Sequence, residues 1–182
     1  EIMVEQCAPT LAGIKPASLF RCRADGGRCP AEAVERWRRE LEPRGIVLRV
    51  LKTCPVTGAC MVYLYRPTWL QRLVNEPQTR AFLYECGYGP ELDVDAMLER
   101  LSYRFCLEAE YPHEIGVFLG YPLEDVVGFI RHRGREFTLS GCWKVYGDPR
   151  AAQRRFDQYH RCAQRCRARF LAGTPISALA AG

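Results

Sequence analysis

Residues 46–53 and 60–66 are dense in β-branched and aromatic side chains, and only Cys54-Pro55-Val56-Thr57-Gly58-Ala59 separates them. That pattern predicts a β-hairpin with a long loop, so the fold must contain a sheet. Around it the apolar residues recur at helical spacing. Pro30 opens a helix to about Leu41, with Ala33, Val34, Trp37 and Leu41 on one face, and Arg44-Gly45 stops it. Helices are expected over 67–75 and 77–86, the second ended by Gly87. Asp93 can cap another, with Val94, Met97, Leu98, Leu101 and Phe105 inward. Residues 115–121 read as a buried strand that turns at Gly120-Tyr121-Pro122 into a helix. In that helix Leu123, Val126, Val127 and Ile130 fall at i, i+3, i+4 and i+7. A further strand is expected within 137–146, strongest at Cys142-Trp143-Lys144-Val145-Tyr146. Gly147-Asp148-Pro149 then leads into a last helix with Phe156, Tyr159, Ala163, Cys166 and Phe170 on one face. Residues 7–20, broken by Pro9, Gly13 and Pro16, read as an ordered loop or short helical turns, and 24–30 as a polar Gly-Gly loop. The sum is a single domain over residues 1–182, α/β or α+β, with about four strands in one sheet packed with about six helices.

No apolar run approaches the roughly 18–20 residues that span a bilayer, and the first residues include Glu1 and Glu5 rather than a basic segment before an apolar one. The first residue is not Met, which leaves open a start further upstream. Ten cysteines invite a disulfide framework, but those at Cys86, Cys106, Cys162 and Cys166 sit inside apolar periodic segments of a chain large enough to need no staples. A reducing, cytoplasmic setting is expected, in keeping with an anaerobe. The basic residues are 23 Arg and only three Lys, so Lys15, Lys52 and Lys144 each carry more information than a lysine usually does. A net charge of +5 is weak support for a polyanionic partner.

Three segments together resemble a known family: residues 7–20, residues 112–130, and Gly141-Cys142-Trp143-Lys144-Val145-Tyr146-Gly147-Asp148. The resemblance is to the bacterial family catalogued as domain of unknown function 3793, found largely in anaerobic Gram-positive bacteria. It covers the full length, and the family carries no assigned activity. The resemblance singles out Cys7 among the cysteines. A His commonly precedes that cysteine in the family pattern, where this chain has Gln6. The family is often met beside flavodoxin-like genes.

Several constellations could carry chemistry, each beside a plainer structural reading. His113 and Glu114 offer an imidazole and a carboxylate as acid–base groups, or His113 simply bonds at the strand entry. Tyr121 ends that strand at a helix start, where Glu124 and Asp125 would meet the helix dipole and repel a phosphate. Cys7 near Lys15 could be an activated thiolate or an ordinary buried cysteine. The pairs Cys22/Cys29, Cys54/Cys60 and Cys162/Cys166 lack C-x2-C spacing, so no metal ligands are assigned. Arg154, Arg155, Arg161 and Arg165 on the last helix could dock an acidic protein such as a flavodoxin, or form a solvated face. No DNA-reading motif or aromatic single-strand platform accompanies them, so nucleic acid is disfavoured. The leading expectation is a pocket for an unknown small molecule. Cys7, His113 and Glu114 would be its chemical groups, Lys15 and Lys144 would hold an acidic group, and Tyr121 and Trp143 would complete the binding wall. A partner-binding accessory role through the arginines and a cysteine metal site are the alternatives.

Overall fold

In the computed structural model the described residues are 1–23, 30–89, 93–107 and 110–181. The expected Gly-Gly loop at 24–30 lies outside them except for Pro30, as does Cys29. Strands β1 (Ala17–Cys22), β2 (Val47–Thr53) and β3 (Cys60–Tyr65) form one antiparallel sheet in the order β1-β3-β2. The hairpin read from 46–66 is therefore the β2–β3 pair, with a register shift at Leu51. Central strand β3 is buried almost throughout. Its alternating side chains divide the core, because successive strand residues face opposite ways.

On one face Val62 and Leu64 pack with Phe20 and Leu48 under α1 (Ile2–Leu11) and α2 (Pro30–Leu41). On the other, Tyr63 and Tyr65 pack under α3 (Pro67–Asn75) and α5 (Val94–Leu107), with Leu70, Met97 and Leu101 among the contacts. Helix α4 (Pro77–Glu85) joins α3 to α5. Asp93 caps α5 as expected, accepting the Ala96 amide at 2.8 Å.

The architecture is a single α+β domain, with nine α-helices among the described residues. The strands are distributed differently from the expectation: three share the sheet, and β4 (Leu139–Ser140) with β5 (Lys144–Val145) forms a separate short hairpin. Two segments change type. Residues 7–20 contribute the end of α1 and most of β1. Pro9 sits inside that helix and offers its carbonyl to the amides of Ile14 and Lys15.

The stretch read as a strand at 115–121 is instead a one-turn helix, α6 (Ile115–Phe118), followed by a turn. Its four residues are all buried, so the run has no exposed side from which alternation could arise. Helix α7 (Leu123–Arg131) follows, but its inward face is Asp125, Val126 and Gly128, while Ile130 is exposed. Helix α8 (Pro149–Leu171) is capped by Asp148, which accepts the Arg150 and Ala151 amides. It packs on α1 and on the β4–β5 hairpin, whose Trp143 and Val145 meet Ala152, Phe156 and Tyr159. A short α9 (Ile176–Leu179) closes against α1 and α8.

Arg66 fastens the end of α1. Its guanidinium donates to the carbonyls of Thr10 (2.9 Å), Leu11 (2.8 Å) and Ala181 (2.7 Å). The last carbonyls of a helix have no partner in the helix itself, and its C-terminus favours a cation.

Candidate functional site

The loop before β1, the segment 112–122 and the β4–β5 hairpin are far apart in sequence and meet at one place. The join is made by Asp125. Its buried carboxylate accepts the Trp143 Nε1–H at 2.7 Å, the Tyr146 amide at 2.7 Å and the Gly147 amide at 2.8 Å. Three donors, one of them an indole, offset the cost of burying the anion. Asp125 stands in the first turn of α7 as expected, and it also holds the hairpin. The indole of Trp143 then stacks on Tyr121 (4.9 Å, 26°) and meets Phe156 edge-on (4.6 Å, 80°). Gly120 makes the turn before Tyr121 with φ +75° and lies directly against the Pro16 ring. A side chain there would meet both strain and a clash.

Two cavities flank Tyr121. One, of about 400 Å³, is walled by Tyr111, His113, Ile115, Phe129, Trp143 and Lys144. The other, of about 340 Å³, is walled by Gln6, Lys15, Ser18, Phe156, Tyr159 and His160. Leu119, Tyr121 and Cys142 line both. Burial pushes the Tyr121 phenol up to about 12, with Cys142 and Tyr159 adding to it. Its hydroxyl makes a long 3.5 Å contact with the Cys142 carbonyl.

A scan of family models matches residues 3–180 to the family described as Protein of unknown function (DUF3793). The chain belongs to the DUF3793 family. No curated protein and no solved structure matches it.

Within this DUF3793 protein the residues singled out from sequence separate into two groups. His113, Tyr121, Trp143 and Lys144 line the first cavity, and Lys15 and Tyr121 the second. The His113 ring lies between Tyr111 (5.4 Å) and Phe129 (4.9 Å). Lys144 donates to the Gly134 carbonyl at 2.6 Å and sits over the Phe137 and Phe129 rings. Lys15 makes no hydrogen bond or ion pair among the described residues. Its ammonium lies 5.2 Å from the Tyr121 ring centre and 5.9 Å from that of Tyr159. Desolvation holds its pKa below the ordinary 10.5, against a smaller opposing pull from Cys142 and Cys7.

Glu114 and Cys7 belong to the second group. Glu114 lines neither cavity: it is buried, accepting Arg104 at 2.7 Å and the Tyr88 hydroxyl at 2.9 Å. It ties the start of α6 to α5. Cys7 is fully buried among core residues, and desolvation pushes its thiol up to about 12, with Lys15 and Ser18 opposing.

Arg154, Arg155, Arg161 and Arg165 are exposed on α8. None of them makes a hydrogen bond or ion pair among the described residues, whereas Arg167 pairs with Glu1 and Glu5. Nine cysteines among the described residues are free. Among those residues no group of three or more His, Cys, Asp or Glu side chains is placed to hold a metal ion. No helix among them is long and apolar enough to cross a membrane.

Reading the sequence alone passed over Asp125 as the anchor, and Tyr111 and Phe129 as walls. Asp125 lies off the apolar stripe read for α7, and only the inward face found in the structure, Asp125, Val126 and Gly128, shows it buried.

Proposed function

We propose that this protein binds a small organic ligand in the paired cavities around Tyr121. The observation that carries this reading is convergence: His113, Tyr121, Trp143, Lys144 and Lys15 come from three separated segments, yet all face the same two adjoining spaces. Both volumes fall within the roughly 300–1,000 Å³ typical of small-molecule sites, and apolar walls with a few polar groups are the usual composition. His113 is the hydrogen-bonding or proton-transferring group of the reading, with its ring on the wall of the larger cavity. Cys7 and Glu114 are left out of the chemistry, since each is spent on the core. The test is native mass spectrometry of protein purified anaerobically from cells, followed by binding of whatever compound is recovered. His113→Ala should weaken that binding about tenfold while moving stability by less than about 1 kcal/mol. Variants at His113, Tyr121 and Lys144 that all simply unfold would make these residues structural and end the reading.

A second reading, docking of an acidic protein such as a flavodoxin, is favoured by the four unpaired guanidiniums on α8. It expects capture of an acidic partner at low salt, lost above about 0.3 M salt and lost on changing Arg154, Arg155, Arg161 and Arg165 to Gln.

A further inference from the structure

Among the charged groups around the cleft, Lys15 is the one with no hydrogen bond or ion pair among the described residues. Asp125 is held by three donors. Glu5, which lines the same cavity as Lys15, pairs with Arg167 at 3.0 Å. The imidazole of His160 meets the Gln164 amide at 2.9 Å. Lys144 is bonded to Gly134 and capped by two phenyl rings. Lys15 alone lines its cavity without a hydrogen bond or ion pair, its ammonium beside the Tyr121 and Tyr159 rings and near the Cys142 and Cys7 thiols. A half-buried ammonium without a counter-charge is costly, and what repays that cost is an anion. No arginine lines either cavity among the described residues, and the two ammonium groups line different cavities, Lys15 the smaller and Lys144 the larger, so neither space offers the clustered cations that suit a polyphosphate. Beyond Tyr121 the larger cavity is walled by the rings of Tyr111, Phe129 and Trp143, surfaces that favour a flat conjugated body.

We infer that the ligand of this cleft is a planar organic monoanion, with its acidic group on Lys15 and its ring system reaching past Tyr121 into the His113 cavity. This inference rests on the reading of the cleft as a ligand site and adds the class of compound. The depressed basicity of Lys15 agrees with an amine that lacks its counter-ion.

Two probes that share one ring body separate the claims. 1-Anilinonaphthalene-8-sulfonate carries an anionic group, and N-phenyl-1-naphthylamine is the same body without it. Both are titrated by fluorescence against the full chain. The expected result is one sulfonate probe per chain, bound about tenfold or more tighter than the neutral one. Lys15→Met should bring the sulfonate down to the affinity of the neutral probe and leave the neutral probe unchanged, while Lys15→Arg keeps most of the difference. Should Lys15→Met fail to fold, Lys15→Gln is read in the same way. Equal affinities in the unmodified protein would overturn the anionic class while leaving the cleft as a site for neutral ligands. Loss of the sulfonate on changing Arg154 and Arg155 to Gln, but not Lys15, would place the anion on α8 and also overturn the inference. Failure of both probes to bind would remove the cleft reading itself.

Discussion

The sheet and the cap formed by residues 112–148 are held together by different physics. The sheet is sealed by apolar burial on both faces: Tyr63, Leu64, Leu70 and Leu101 are almost wholly enclosed, and each buried side chain of this kind contributes about 1.5–3 kcal/mol. Its tight-turn glycines, Gly45 and Gly58, have nothing within 4 Å of where a side chain would stand. The cap has short elements and hangs on a few directed contacts. Asp125 gathers three donors, Glu114 takes two, and Gly128 and Gly141 lie directly under the Tyr146 and Phe156 rings. A region built this way fixes the position of every side chain it carries, at the cost of depending on single atoms. That is the arrangement expected where wall residues must stay in place.

The largest effect that would break this contrast is at Asp125. Asp125→Ala strands an indole N–H and two backbone amides and should cost about 3 kcal/mol by urea unfolding. Amide hydrogen exchange should rise first in the β4–β5 hairpin and leave β3 protected. Equal loss of protection in both would show one cooperative unit rather than two differently held regions. A smaller effect comes from glycine. Gly128→Ala would place its methyl carbon 2.6 Å from Tyr146 Cβ and should cost about 1–3 kcal/mol through displaced packing. Gly58→Ala meets open space, and only its positive φ (+64°) opposes it, at about 1 kcal/mol. The order of the two midpoints is the check.

The smallest expected effects are chemical, and they contrast two cysteines of the sheet region. The Cys54 thiol, in the β2–β3 loop, is drawn down to about 7 by the Thr57 hydroxyl and by the Thr57 and Val56 amides. It should alkylate with iodoacetamide at a rate that is half-maximal near pH 7, while Cys7 stays unmodified in the folded protein. Because burial raises Cys7 from an ordinary 9.0 to about 12, its contribution to stability is complete below pH 9 and is lost as pH climbs from 9 towards 12. Cys7→Ala should make that alkaline slope shallower in pH-dependent denaturation without removing it, since Cys86, Cys162 and Tyr121 are also raised by burial. Peptide mapping of the alkylated protein locates the reacting thiol.

The α+β class, the β2–β3 hairpin and helices α2, α3, α4, α5, α7 and α8 were legible because each has one wet face, and a wet face is what writes a period into a sequence. Segment 115–121 was not. Ile-Gly-Val-Phe-Leu is buried on every side, so its apolar run looks the same for a strand as for a helical turn. The anchor that decides the matter, Glu114 on Arg104 and Tyr88, is a long-range contact. The end of α1 was hidden by Pro9, which sits inside the helix and offers its own carbonyl to the Ile14 and Lys15 amides where the helix ends. For the site, His113, Tyr121, Trp143, Lys144 and Lys15 were recognisable as polar or aromatic groups at the ends of apolar elements. The burial of Cys7 was one of its two sequence readings, whereas that Glu114 faces the core could not be read, since it depends on which way a short element turns.

Arg66 has a consequence for the order in which the chain assembles. Its guanidinium bridges carbonyls 56 and 115 positions away in sequence, at Thr10 and Ala181. Loops of that length close slowly, and contacts of high sequence separation form after local ones. The bridge can therefore form only once α1, the sheet and the last helices are all in place. Arg66 is then a latch on a finished chain rather than part of its nucleus, and its weight falls on how slowly the protein comes apart, not on how fast it folds.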